Sequence, residues 1–157
     1  MHPSSTCRLA VPAVLLALLA GTAPAPAQPP AAPPELRRMG DCAGCVVRGG
    51  DHSDAGLTGV DLSGAEVTGA RFYRATLTVA VFDGARLDGV SFEGAALGGA
   101  SFVGTWLRDV SFRGADLRGA VFEGAVLEGT DLGDALTCQT QMPDDTMAND
   151  DCDVEGR

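Results

Sequence analysis

The chain has 157 residues, 45% hydrophobic and only 5% aromatic, with 21 glycines and 21 acidic residues against 11 arginines and no lysine. That length allows one domain with flanking segments. A formal net charge of −10 has the wrong sign for direct binding of DNA or RNA, and by itself it accounts for solubility and little else.

Residues 1–27 read as a processing signal. Arg8 supplies a short positive region, Val11 to Ala20 an apolar run, and Ala25-Pro26-Ala27 a small-x-small cleavage site. The mature chain is expected to begin at Gln28 and to be periplasmic or secreted. Read instead as an uncleaved anchor, the apolar run is about half of the roughly 20 residues that a spanning helix needs. Leu19-Ala20-Gly21 resembles the start of a lipoprotein cleavage box, but Thr22 stands where the lipid-bearing cysteine belongs, and Cys7 lies ahead of the run. No membrane association is expected once the signal is removed. Residues 28–41, with Pro29, Pro30, Pro33 and Pro34, predict a stiff, extended linker.

From Ala55 to Leu132 the chain repeats every five residues. A large apolar residue marks the centre of each unit: Leu57, Leu62, Val67, Phe72, Leu77, Phe82, Leu87, Phe92, Leu97, Phe102, Leu107, Phe112, Leu117, Phe122, Leu127 and Leu132. A small residue stands two places earlier, as at Ala65, Ala85 and Ala115, and glycine usually two places later, as at Gly64, Gly84 and Gly104. Units this short cannot bury their apolar residue alone, so they must stack as a solenoid. A helix does not fit, because five mismatches the 3.6-residue turn and each interior glycine would cost about 1 kcal/mol. Centre and small residue point inward, the other three positions outward, and glycine takes the corner. Phenylalanines recur every ten residues from Phe72 to Phe122. Like stacks on like only if a coil holds an even number of units. Four units enclose a core, with phenylalanine and leucine on alternate pairs of opposite walls. Residues twenty apart then sit one above the other at roughly 4.7 to 4.9 Å.

The units Ala85-Arg86-Leu87-Asp88-Gly89 and Ala115-Asp116-Leu117-Arg118-Gly119 resemble those of the pentapeptide-repeat proteins. The resemblance covers residues 42–142 and implies an all-β, right-handed quadrilateral β-helix of about five coils. It implies little about function, because fold alone does not assign it. Some members resemble DNA in width and charge and occupy the DNA site of type II topoisomerases, which gives a rival reading that the export signal opposes.

Without Cys7, four cysteines remain: Cys42, Cys45, Cys138 and Cys152. About five coils separate the two pairs, on the order of 20 Å at the strand spacing, whereas a disulfide needs Cα atoms within about 7 Å. Cys42 is therefore expected to pair with Cys45, and Cys138 with Cys152, closing the two ends. A redox role for Cys42-Ala43-Gly44-Cys45 is the competing reading, but the strand-to-helix junction of redox motifs is missing. The segment from Cys138 through Met142-Pro143-Asp144 is similar to a terminal signature of the family, with Asp145 where glycine is usual. Thr140 and Met142 continue the inward beat, and residues 143–157 form an acidic tail. Disorder is expected there rather than a calcium site, since Asp150, Asp151, Asp153 and Glu155 lack ordered loop spacing.

Stacking by twenty also orders the surface. Asp88, Arg108 and Glu128 should form a charge ladder, Glu93 should adjoin Arg113, and Arg86 should lie by Trp106 as a cation-π pair. Val81, Val103, Trp106, Val121 and Val126 should form one apolar patch around the Gly104 corner, a candidate site for a homodimer or a protein partner. Arg71, Tyr73 and Arg74 interrupt the glycine pattern as the candidate anion site. His52, the sole histidine after processing, has no nucleophile setting around it, and a convex solenoid offers no cleft for paired carboxylates. The expectation is a non-catalytic, exported interaction module with no cofactor, no metal and no nucleic-acid partner.

Overall fold

The structure, a computed structural model, describes residues 42–152. Among them there is no helix; the chain is a four-walled β-solenoid. Strands β1 (Val46–Arg48), β2 (Glu66–Thr68), β3 (Arg86–Asp88), β4 (Trp106–Arg108) and β5 (Val126–Glu128) form one parallel ladder in sequence order. Their register is twenty residues, pairing Glu66 with Arg86 and Arg86 with Trp106. Four full turns separate β1 from β5. Isolated bridges at the same spacing, such as Arg71 to Ser91 and Thr76 to Ala96, stack the other walls.

The walls are numbered here by their inward centres. Wall 1 carries Val47, Val67, Leu87, Leu107 and Leu127; wall 2 carries His52, Phe72, Phe92, Phe112 and Leu132. Wall 3 carries Leu57, Leu77, Leu97, Leu117 and Thr137; wall 4 carries Cys42, Leu62, Phe82, Phe102, Phe122 and Met142. Among the described residues the repeat is thus already present at Cys42, three units before the first leucine of the beat, and runs on through Thr137 to Met142. Most centres and small residues are buried, including Phe102 and Ala120 at 0% exposure.

After walls 2, 3 and 4 the centre's carbonyl accepts from the N–H three residues on, as in Ala65 to Leu62 (3.1 Å) and Ala85 to Phe82 (2.9 Å). In these turns from Cys42 through Phe122 the third residue has positive φ, for example 63° at Gly64, the mark of a type II turn, and glycine adopts it without strain. At five corners without glycine the backbone keeps the shape, with Asp54, Arg74, Val79, Asp109 and Gln139 all at φ between 51° and 56°, whereas Asp134 does not. The corner after wall 1 lacks that bond in β2 through β4, so wall 1 alone runs as regular three-residue strands.

Phenylalanine occupies opposite walls. Phe82, Phe102 and Phe122 stack at 4.8 and 4.7 Å with rings within 2° of parallel. Phe72, Phe92 and Phe112 stack at 5.3 Å, and the two columns meet edge-on across the core at 5.6 to 6.3 Å.

His52 heads the wall 2 column, buried and stacked on Phe72 at 5.0 Å. Its ring fills the space a side chain at Gly50 would take, since a Cβ there would lie 2.9 Å from Nε2. That Nε2 has no hydrogen-bond partner, so desolvation holds the imidazole below its ordinary pKa, slightly opposed by the Asp51 carboxylate beside it. The unfolded chain therefore binds more protons than the folded one below about pH 6.5. Stability contributed by neutral His52 is present above that pH and falls away as the pH drops. His52→Leu should flatten the decline, measured as urea midpoints between about pH 7 and pH 5; parallel declines in both proteins would contradict it.

Candidate functional site

The two cysteine pairs are bonded as the coil spacing requires. Cys42 and Cys45, with Cα atoms 5.2 Å apart, occupy an inward centre and the next inward small position, as Leu62 and Ala65 do one coil later. The Cys-x-x-Cys spacing is thus the spacing of the fold's own turn, and Cys45 N–H donates to the Cys42 carbonyl at 3.0 Å.

Cys138 joins Cys152 with Cα atoms 4.8 Å apart. The expectation of disorder in the tail is not met through Cys152. Strands β6 (Thr140–Gln141) and β7 (Met147–Ala148) pair antiparallel, turning at Asp145, which takes the φ of 63° that a glycine would favour. Asp151 N–H donates to the Thr137 carbonyl at 2.8 Å, and Thr137 N–H donates to the Asp151 carboxylate at 3.0 Å. Acidic composition is overridden because the tail completes the open backbone edge of the last coil along walls 3 and 4. Asp153 and Glu155, like the signal and linker expected over residues 1–41, lie outside the described residues.

Of the apolar candidates, Trp106 (40% exposed) and Val126 (49%) are adjacent rungs of wall 1, and Val103 (36%) faces them across the Gly104 corner of wall 4. Val81 and Val121 sit on the far side of wall 4, half-buried, with Ser101 between them. Ser101 donates its hydroxyl to Asp83, which also accepts the Val103 N–H at 3.1 Å. The residues therefore concentrate at the corner between walls 4 and 1. Val46, 54% exposed at the head of the Trp106 column, was missed by a beat read only from Leu57. Registering Cys45 as a small position would have found it.

Arg86 lies over the Trp106 ring at 5.0 Å, and Arg108 forks onto Asp88 one rung away, with Nε to Oδ1 at 3.1 Å. That hydrogen bond holds the Asp88 carboxyl below its usual range and raises Arg108 in turn. Glu93 and Arg113 share a wall 2 column one coil apart. Arg71, Tyr73 and Arg74 also lie on wall 2, where Arg74 pairs with Asp54 at 3.4 Å and Arg71 bridges in register with Asp51. The candidate anion site is thus flanked by carboxylates of the preceding coil. Among the described residues no group of three His, Cys, Asp or Glu is placed to hold a metal ion.

The profile of pentapeptide repeats matches eight copies, over residues 41–78, 55–94, 77–114 and 95–134. The chain belongs to the pentapeptide-repeat family. Among solved structures it is similar to HetL, a pentapeptide repeat protein involved in heterocyst differentiation regulation from the cyanobacterium Nostoc sp. strain PCC 7120. The likeness has a TM-score of 0.65 and 32% identity, over 69% of this chain and 51% of HetL. It is also similar to QnrB1, a plasmid-mediated fluoroquinolone resistance protein, with a TM-score of 0.54 and 25% identity, over 59% of this chain and 50% of the other. The pentapeptide-repeat chain thus spans about half the length of these two structures. No curated protein is similar enough to count as a match.

Proposed function

We propose that this pentapeptide-repeat protein is an exported, rigid interaction module without catalytic activity. Its working surface is the corner that presents Val103, Trp106 and Val126, extended along wall 4 by Val81 and Val121. The observation that carries this is the exposure of the chain's single tryptophan and of Val126 on a wall of regular strands, with Val103 exposed across the adjoining corner. A tryptophan on a soluble surface is an expensive place to leave apolar area unless a partner covers it. Export is supported by the signal-like first 27 residues and by two disulfides, which persist in oxidising compartments. No helix among the described residues is long and apolar enough to cross a membrane.

Immobilised full-length protein should retain its exported binding partners, and Trp106→Glu should retain them on the order of tenfold less, as expected for a central aromatic anchor. Arg71→Glu, on wall 2, should behave as wild type. Equal capture by Trp106→Glu would sink the assignment of this corner. An N-terminus at Gln28 in the exported fraction tests compartment separately; an intact Met1 in the cytosol would contradict it. The rival reading, a DNA-mimicking inhibitor or protector of a type II topoisomerase, draws on the net charge of −10 and the likeness to QnrB1. A gyrase supercoiling assay separates the two, since the exported module leaves supercoiling unchanged.

A further inference from the structure

We infer that the partner of wall 1 is a second copy of this chain, joined wall to wall about a two-fold axis parallel to the solenoid axis. The inference rests on the interaction-module reading and names its partner.

Wall 1 is the one wall built of regular three-residue strands, and each strand turns its first and third residues outward around a centre that is buried in β1 to β4 and half-buried in β5. The outward residues therefore form two columns. The first runs Val46, Glu66, Arg86, Trp106, Val126, and the second runs Arg48, Thr68, Asp88, Arg108, Glu128. A two-fold axis along the solenoid sets the first column of one copy against the second column of the other at equal height. Arg86 then faces the second copy's Asp88, and Trp106 faces its Arg108; each contact occurs twice. No like charges stand directly opposite at any rung. The antiparallel two-fold arrangement that overlaps all five strands has its axis at β3, and it sets Arg86 against Arg86 and Asp88 against Asp88; shifting it to avoid this gives up a strand of overlap. Charge complementarity therefore selects the parallel pair.

The contacts within each copy prepare this surface. Arg86 is laid over the Trp106 ring, which leaves its guanidinium at the level where the opposing Asp88 arrives. Asp88, already forked by its own Arg108, gains a second cation. Trp106 gains Arg108 on its open side, a cation-π contact of the same kind as the one Arg86 makes. The face is only about 19 Å tall over five strands, so the pair belongs to the small, reversible class of interfaces, and salt weakens it.

Sedimentation of the full disulfide-bonded chain at low ionic strength should show a reversible monomer–dimer equilibrium at concentrations up to about 1 mM. Asp88→Asn, which removes only a charge, should weaken the dimer several-fold. Arg86→Asp and Asp88→Arg should each abolish it by placing like charges together twice. An equimolar mixture of those two variants should restore it, because every opposing pair is then Asp against Arg. Unchanged thermal melts would show that both variants keep the fold. A wild type that stays monomeric throughout, or a mixture that does not re-associate, would overturn the inference. Stronger association of Asp88→Asn would mean that like residues face each other and would overturn the parallel arrangement. If the wild type is monomeric but still captures another exported protein through Trp106, the second-copy inference fails and the interaction reading stands. If capture is also insensitive to Trp106→Glu, both fail.

Discussion

Phe102→Ala should lower the unfolding free energy by about 3 to 5 kcal/mol, the range for emptying a fully buried phenylalanine site. The ring is 0% exposed and touches four others: it stacks on Phe82 and Phe122 and meets Phe92 and Phe112 edge-on at 6.3 and 5.7 Å. Relaxation cannot close the gap, because the ladder hydrogen bonds hold each coil at fixed height, as in Phe102 N–H to the Val121 carbonyl at 2.7 Å. A solenoid is stabilised by contacts between neighbouring coils, so a void in the middle also uncouples the two halves. Urea denaturation followed by Trp106 fluorescence should show a lower midpoint and a broader transition than wild type. Leu57→Ala near the end should lower the midpoint less and leave the transition sharp. A Phe102→Ala midpoint within error of wild type would mean that the phenylalanine columns are not what couples the coils.

Much of this architecture is legible in the sequence because one physical constraint repeats. Each unit must place two residues in a narrow core and one at a positive φ, so the leucine, phenylalanine and glycine positions carry the same message many times over. Four walls follow from the ten-residue recurrence of phenylalanine, and the twenty-residue register then predicts the Asp88–Arg108 and Arg86–Trp106 neighbours. What the pattern concealed lies where residue type and position disagree. His52 is polar yet sits at an inward centre, since Gly50 makes room for its ring. Val79 is β-branched and 54% exposed, yet takes a glycine's backbone with φ of 52°. Thr137 breaks the leucine column at wall 3 but stays buried, its backbone N–H bonded to Asp151. The tail escaped for a different reason. Its order comes from pairing with an edge that exists only after the coils have stacked, and composition carries no trace of such long-range pairing. The candidate interaction surface was legible in part, because spacing gives the columns but not how far each side chain stands out from its neighbours.

Opening the Cys138–Cys152 bridge should have the second large effect, and an effect of a different kind. The bond spans a sequence separation of 14, so the chain-entropy treatment assigns it about 3 kcal/mol, against about 2 kcal/mol for the short Cys42–Cys45 loop. The short loop also closes a turn that is already hydrogen-bonded, so its loss changes the folded chain little. At the other end the tail is held by the β6–β7 pair, the two Thr137–Asp151 bonds, and the bond that Gln139 N–H donates to the Asn149 side chain. Without the disulfide these few bonds must offset the entropy of ordering about ten residues, at roughly 1 to 2 kcal/mol each, and they fall short. The Cys138→Ser/Cys152→Ser double variant should therefore release residues 143–152 and bare the last coil's edge along walls 3 and 4. Proteolysis should then cut within residues 144–152 before the solenoid unfolds, and amide exchange should accelerate at Met142 and Asp151, whose N–H groups bond across the cap. An uncovered edge also invites pairing with other chains, so the double variant should aggregate at concentrations where wild type stays soluble. The matching Cys42→Ala/Cys45→Ala variant should show neither tail cleavage nor aggregation. Identical protease patterns for the Cys138→Ser/Cys152→Ser variant and wild type would mean that backbone pairing alone secures the cap.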